Sequence, residues 1–317
     1  MKFGIMVMTL ALASLAGHAQ DYPVRPVRVI VPNAPAGLAD IMTRKIMTQL
    51  SENMGRQFIV DNRPGAGGTI GTALAASSTA DGYTLLSVFD SHVTNPHLYR
   101  KLDYDALKDL TPVSMLVRGP ITLATRRDYP AKSMREFIQR AKDQPGSVNF
   151  AIVGPGSPSR LLTELLEAQA GIRVTQIPYK GAGLAMTELI GGQVDVMFAT
   201  IPSIISHYKA GRLPVIAVTS PERTPILPGI PTISESVPGF FAQSWVGVLA
   251  PAKTPVAIIG RLQNEIAKVL AQPGIRQGIV SQGYEALGSS PAEFGQWLDS
   301  EHARWGKIIQ ERNIRLE

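Results

Sequence analysis

The chain has 317 residues, enough for about two domains, and 44% of them are apolar, enough to fill packed cores. It contains no cysteine, which excludes disulfides, a thiol nucleophile, a Cys-bound metal and lipid attachment through an N-terminal cysteine. The net charge of +6 is scattered, without Lys/Arg clusters interleaved with aromatics, so it favours an anionic partner and argues against nucleic acid.

The N-terminus reads as a targeting segment. Lys2 supplies a positive start, Phe3 to Ala16 is nearly all apolar, and Gly17-His18-Ala19 offers small residues for cleavage. A secretory signal peptide over 1–19 is expected, cut after Ala19. The apolar run is short for a membrane anchor. Removing Lys2 with the leader leaves a mature charge of +5. An exported, periplasmic protein is expected.

Val27 to Val31 is rich in β-branched residues and predicts a buried strand. Pro32 to Gly37 then breaks the chain. Leu38, Met42, Ile46 and Leu50 follow at i+4 spacing, the stripe of an amphipathic helix. Such a strand–turn–helix leaves backbone N–H groups at the helix start and a positive dipole end, together a seat for an anion. An ordinary turn without a ligand has the same pattern, and the residues here do not separate the two.

Gln57 to Val60 predicts a second strand. The loop from Asp61 to Gly71 is rich in glycine, but a G-x-G-x-x-G fingerprint needs glycine where Ile70 stands. A tight turn with close backbone approach fits it better than a nucleotide site. Tyr83 to Phe89 predicts a third strand, and Asp90 to Pro96 a polar loop just past its C-terminal end, where ligands of open α/β sheets sit. Ser91 and His92 are therefore candidate lining residues, with a structural hydrogen bond the alternative for His92.

A new strand is expected at Ile121 to Thr125, then a helix from Ser133 to Ala141. Val148 to Val153 predicts a strand that feeds Gly154-Pro155-Gly156-Ser157-Pro158-Ser159-Arg160. Ser157 suits an N-cap and Pro158 the first helical position. Gly171 ends that helix. This second strand–turn–helix again offers amides at its mouth. Strands follow at Thr175 to Pro178, Val194 to Ala199 and Val215 to Thr219, with a helix from Leu184 to Ile190. Glu222 to Gly239 is dense in proline and predicts an extended crossing rather than a packed element. Trp245 to Ala250 predicts a strand, and helices complete the chain.

The β-α-β alternation implies α/β lobes with mostly parallel, doubly wound sheets. The chain is expected to leave lobe 1 near 121 and return near 243. That gives lobe 1 residues 20–120 and 243–317 and lobe 2 residues 121–242.

These segments together resemble the tripartite tricarboxylate transporter substrate-binding proteins, the Bug or TctC-like family. The marks are Val31-Pro32-Asn33-Ala34-Pro35-Ala36-Gly37…Asp40, Asp61-Asn62-Arg63-Pro64-Gly65-Ala66-Gly67-Gly68 and Asp81-Gly82-Tyr83-Thr84. Asn95-Pro96-His97-Leu98-Tyr99, Pro178-Tyr179-Lys180-Gly181 and Ala250-Pro251-Ala252-Lys253-Thr254-Pro255 follow in order. The resemblance implies a type II two-lobe periplasmic-binding-protein fold, a two-crossing hinge, and a small carboxylate gripped by main-chain amides of two opposed turns. Those turns correspond to Ala34–Leu38 and Gly154–Ser159.

The implied ligand-binding set is Asn33, Ala34, Pro35, Ala36, Gly37 and Leu38 from the first turn, with Ser91 and His92. Gly154, Gly156, Ser157, Pro158, Ser159 and Arg160 come from the second, with Thr200 and Trp245. Asn33 and Ala36 stand where the family usually has Phe and Gly, and Arg160 where His is common. Arg160 either pairs with a distal carboxylate of the ligand or points to solvent. Trp245 either stacks on a ligand ring or packs at the hinge.

No catalytic residue, metal or cofactor is expected. The histidines lack metal-ligand pairing, and the surroundings of Ser157 are not G-x-S-x-G. The implied partners are a small carboxylate and the membrane permease subunits of a tripartite tricarboxylate transporter, with the receptor itself a monomer. A ligand-sensing receptor for a signalling partner and a periplasmic hydrolase are the alternatives.

Overall fold

A computed structural model of the chain describes residues 22–35, 37–153 and 157–315. The expected signal peptide, Ala36 and Gly154 to Gly156 lie outside the described residues. Among these, no helix is long and apolar enough to cross a membrane.

The strands sort into two sheets, as the two-lobe α/β expectation requires. β1 (Val27–Val31), β2 (Phe58–Asn62), β3 (Thr84–Phe89) and β4 (Leu110–Gly119) join two later strands, β10 (Ser244–Pro251) and β11 (Glu285–Ala286). Their order is β11-β4-β10-β3-β1-β2. The second sheet holds β5 (Ile121–Thr125), β6 (Asn149–Val153), β7 (Thr175–Tyr179), β8 (Val196–Thr200) and β9 (Val215–Val218), ordered β7-β6-β8-β5-β9.

Each sheet is parallel where βα units follow one another: β1 with β2 and β3, β6 with β7 and β8. It turns antiparallel at the strand that arrives from the other lobe, β10 in the first and β5 in the second. A strand entering at the junction edge must run away from it, against the strands that end there.

That reversal fixes which ends face the hinge. Ser244 pairs with Gly119, and Val246 with Phe89, so β3 ends at the edge where β4 crosses to β5. β1, parallel to β3, ends there too. Across the junction Ile121 pairs with Thr200, so β8 and its parallel neighbour β6 also end facing the hinge. The turns after β1, β3, β6 and β8 are thereby gathered at the interlobe junction.

Helices cover the sheets: α1 (Leu38–Met54), α2 (Thr69–Ala76), α3 (Ser91–Leu98), α4 (Met134–Asp143), α5 (Pro158–Ala170), α6 (Ala182–Ile190) and α7 (Ile201–Lys209), then α8 (Val256–Ala271), α9 (Pro273–Val280) and α10 (Pro291–Glu311). The predicted stripe of α1 buries Met42, Ile46 and Leu50 completely, against Leu262 and Ile266 of α8 and one face of the first sheet.

Three segments differ from the sequence reading. Asp90 to Pro96 is not a loop: α3 begins at Ser91 and carries Pro96 inside it. Its polar residues are buried by neighbouring elements, so tertiary packing overrides their loop preference. β4 is a ten-residue central strand hidden by Pro112 and Arg118; Pro112 sits beside an irregularity in the pairing with β10, where the ladder tolerates proline. The proline-rich crossing is packed rather than simply extended. Leu227, Ile233 and Phe240 are buried, and Thr232 and Glu235 close a capping box around a single 3-10 turn.

Candidate functional site

The first turn joins β1 to α1. Its helix starts from Gly37, which has no side chain to cap the first-turn amides, and the first ladder bond runs from Ile41 N to Gly37 O at 3.0 Å. The amides preceding Ile41 have no acceptor earlier in the helix. Side chains from β2 hold the turn from behind. The Asn62 amide donates to Asn33 O at 3.1 Å and to the Asp40 carboxylate at 2.9 Å. Arg44 donates to that same carboxylate at 2.9 Å and to Asn62 Oδ1 at 2.6 Å. Asp40 is buried and matched by these donors, so the first turn of α1 carries no uncompensated negative charge against an incoming anion.

The glycine-rich loop is the turn's floor, as close backbone approach predicted. A Cβ at Gly71 would lie 2.7 Å from Arg63 O and 2.9 Å from Pro32 Cα, and one at Gly68 3.2 Å from Pro32 O. Gly67 and Gly68 also have φ of 65° and 97°, a region that favours glycine.

The second turn joins β6 to α5 and is braced by hydroxyls. Ser157 caps α5, accepting from Arg160 N at 3.3 Å. Ser159 Oγ accepts from Val153 N at 2.9 Å, tying the strand's last residue to the helix's first turn, and lies 2.9 Å from Ser157 Oγ. Pro158 has no N–H and that of Arg160 goes to the cap, which leaves the Ser159 amide without an acceptor among the described residues. Gly154, Pro155 and Gly156 lie outside the described residues.

Arg160 is half-buried, with Nε 4.0 Å from Glu164 one turn on. Glu164 is shared with Arg312 beyond the end of α10, through contacts of 3.1 and 3.2 Å. Thr200 starts α7 at the junction edge, and its hydroxyl donates to Ser203 at 3.2 Å. Ile201 behind it meets Gly283 of lobe 1, where an added Cβ would come within 2.6 Å of it.

The remaining candidates are buried. His92 points inward, its Nε2 3.0 Å from Ala106 O, and burial pushes its pKa down to about 4, so the ring is neutral. Ser91 is buried in the first turn of α3. Trp245 is completely buried, with its ring edge-to-face on Phe294 at 5.6 Å. Beside it lies a group the sequence reading did not single out. Asp90 accepts from Ser244 Oγ at 3.1 Å and Trp245 N at 3.3 Å, fastening β3 to the returning chain. Burial pushes its pKa up to about 7, against the Ser244 bond and with help from the nearby Glu301 charge. Its position just after a strand end was the available signal. Among the described residues no group of three or more His, Asp or Glu side chains could hold a metal.

Two α/β lobes, crossed twice by the chain and with βα turns at the junction edge of both sheets, define the fold of a two-lobe solute-binding protein. The model of the family described as "Tripartite tricarboxylate transporter family receptor" matches residues 42–314. The chain is 35% identical to protein BugT of Bordetella pertussis over 317 residues, covering 99% of this chain and 97% of BugT. Among solved structures it is similar to Rpa4515 of R. palustris "with adipate". That match has TM-score 0.84 and 33% identity, and covers 93% of this chain and all of the other. MatC of Rhodopseudomonas palustris "with bound malate" matches at TM-score 0.80 and 31% identity, over 91% of this chain and all of MatC. The periplasmic binding protein BugD matches at 0.82 and 30%, over 93% and 100%. The chain belongs to this TctC (Bug) receptor family, whose members bind solutes and are not enzymes.

Proposed function

We propose that the protein is a periplasmic receptor for a small dicarboxylate, in the range from malate to adipate, which it hands to the permease of a tripartite tricarboxylate transporter. The observation that carries the reading is the pair of βα turns at the junction edge of the two sheets, each with helix-start amides and each braced by its own polar network. The related structures with adipate and malate support the ligand class. One carboxylate of the ligand lies between the amides of Ala34–Leu38 and Gly154–Ser159, and the other pairs with Arg160. His92, Ser91 and Trp245 serve packing behind the site rather than contact.

The energetics suffice without a further cation. Micromolar binding is about 8 kcal/mol, and hydrogen bonds to a charged group contribute about 1.5–3 kcal/mol each. Four or five donors plus lobe closure meet that level. Calorimetric titration of the mature protein with malate, adipate and acetate tests it. One dicarboxylate is expected to bind at one equivalent with micromolar affinity, acetate far more weakly, and Arg160→Ala to lower dicarboxylate affinity about tenfold. Failure of every dicarboxylate to bind overturns the ligand class, and an unchanged Arg160→Ala overturns that residue's role.

A further inference from the structure

A cavity of about 960 Å³ lies on the flank of the hinge and shares no lining residue with the two βα turns. One wall is the start of the proline-rich crossing, residues 220–226; the other is the segment from α9 to β11, residues 276–287; Arg118, Pro120, Phe241 and Gln243 close its back. The first wall follows directly from β9 of the second sheet, and the second wall is paired to β4 of the first, so the cavity spans both lobes.

Two donors next to the lining are without partners. Tyr284 is 2% exposed, yet its hydroxyl has no partner, and neither has the buried Nε of Arg118. Arg118 reaches Glu285 through Nη2 at 2.9 Å, which leaves the Nε donor still unmet. A buried donor without an acceptor costs about 1–3 kcal/mol, and both atoms lie beneath the cavity surface rather than on it. Arg276 stands exposed at the rim with no ion pair among the described residues. Arg223 on the facing wall is matched by Glu235 through contacts of 2.8 and 2.6 Å, so it adds little further charge. Against these stand Glu222 and Glu285, and Glu285 is matched by Arg118. Ser220, Thr224, Gln243 and Ser281 add neutral polar groups, and Pro221, Pro225, Ile226, Phe241, Leu287 and the half-exposed Val280 supply an apolar surface.

We propose that this flank is a second ligand site, for an organic anion with an apolar body. The carboxylate is taken by Arg276 at the rim and the accessible part of the Arg118 guanidinium, and the body lies on Phe241 and the prolines. The volume is within the usual span for small-molecule sites, about 300–1,000 Å³. The position between the lobes makes an occupant at the flank a bridge between them, which is distinct from the solute held in the cleft.

Benzoate and hexanoate are the probes, with acetate as an anion lacking the apolar body. Titration of the full mature chain is paired with a crystal structure of the benzoate complex. Benzoate is expected in the flank cavity, with acetate absent from it. Arg276→Glu, at an exposed rim position, and Ser281→Trp, which fills the mouth, are each expected to weaken flank binding tenfold or more, since a charged hydrogen bond is worth about that much. Neither is expected to change adipate titration. Benzoate found only in the cleft, no benzoate binding, or both variants binding it as the wild type does, overturns the proposal. If adipate fails to bind while benzoate still occupies the flank, only the cleft reading fails.

Discussion

Asp90 and His92 sit two residues apart, both fully buried, and their titrations act in opposite directions. Asp90 has its pKa raised from an ordinary 3.8 to about 7. The folded state therefore holds its proton roughly a thousandfold more tightly, a difference of about 4 kcal/mol. That contribution is fully present below 3.8 and is lost as pH rises through about 7. His92 has its pKa lowered from 6.5 to about 4, roughly three-hundredfold and about 3 kcal/mol. Its contribution is present above 6.5 and is lost as pH falls through about 4. Between pH 4 and 6.5 the two slopes oppose one another, so the wild-type stability profile is expected to be shallow there.

Asp90→Asn removes one of the two slopes and leaves the other exposed. Asn keeps an oxygen for Trp245 N, and Ser244 can reorient its hydroxyl toward the new amide, so the hydrogen-bonding loss is about 1 kcal/mol. At pH 8, where the wild type carries a buried carboxylate, the variant is expected to be more stable by about 3 kcal/mol. Near pH 4 the gain disappears and the variant is slightly the weaker. Urea unfolding of both proteins at intervals from pH 4.5 to 8 measures this directly, with equal m values as the check that only stability changed. A stability difference that stays constant across the range refutes the reasoning, because it means that Asp90 titrates alike in the folded and unfolded chains.

Gly71→Ala is expected to destabilise the fold by about 1–3 kcal/mol and to weaken adipate binding, because its Cβ would press on Pro32 Cα and Arg63 O, backbone atoms that cannot rotate away; thermal unfolding and titration read the two effects. Arg312→Ala is expected to cost under about 1 kcal/mol of stability, since Arg312 is 38% exposed. The variant should nevertheless shift the unliganded lobes toward a more open form in small-angle scattering, because it cuts a tie between α10 and α5.

The βα units were legible because each carries its own signal within a few residues. Val27 to Val31 alternates into a break and an i+4 stripe, and Ser157-Pro158 announces a capped helix start; both elements formed as read. What was not legible depends on partners distant in sequence. β4 contains a proline and an arginine and forms because β10, more than a hundred residues later, supplies its ladder. α3 has the composition of a loop and is helical because burial against the first lobe leaves its backbone groups no water. Ser91 and His92 could be placed at a strand's end from sequence, but the direction of their side chains was set by the helix they start. Asn62 and Asp40 were visible as motif residues. Their bond to one another, which holds the first turn, joins a strand end to a helix start that only the fold brings together.

The two turns are built alike but anchored differently, and the difference bears on which one moves. The first is fixed within its own lobe: Asn62, Arg44 and Asp40 belong to β2 and α1, and the glycine floor presses on Pro32 from α2. The second is fixed locally by Ser157 and Ser159, but its helix is also held from outside, because Glu164 on α5 accepts from Arg312 beyond α10. Glu167, one turn further along α5, lies 3.8 Å from the same guanidinium. A displacement of α5 toward a bound anion must therefore stretch or rotate that contact, whereas α1 can receive the anion without disturbing any interlobe bond among the described residues. Such a partly exposed ion pair is weak, about 1 kcal/mol or less, which is the scale on which an open and a closed arrangement can exchange with the ligand deciding between them.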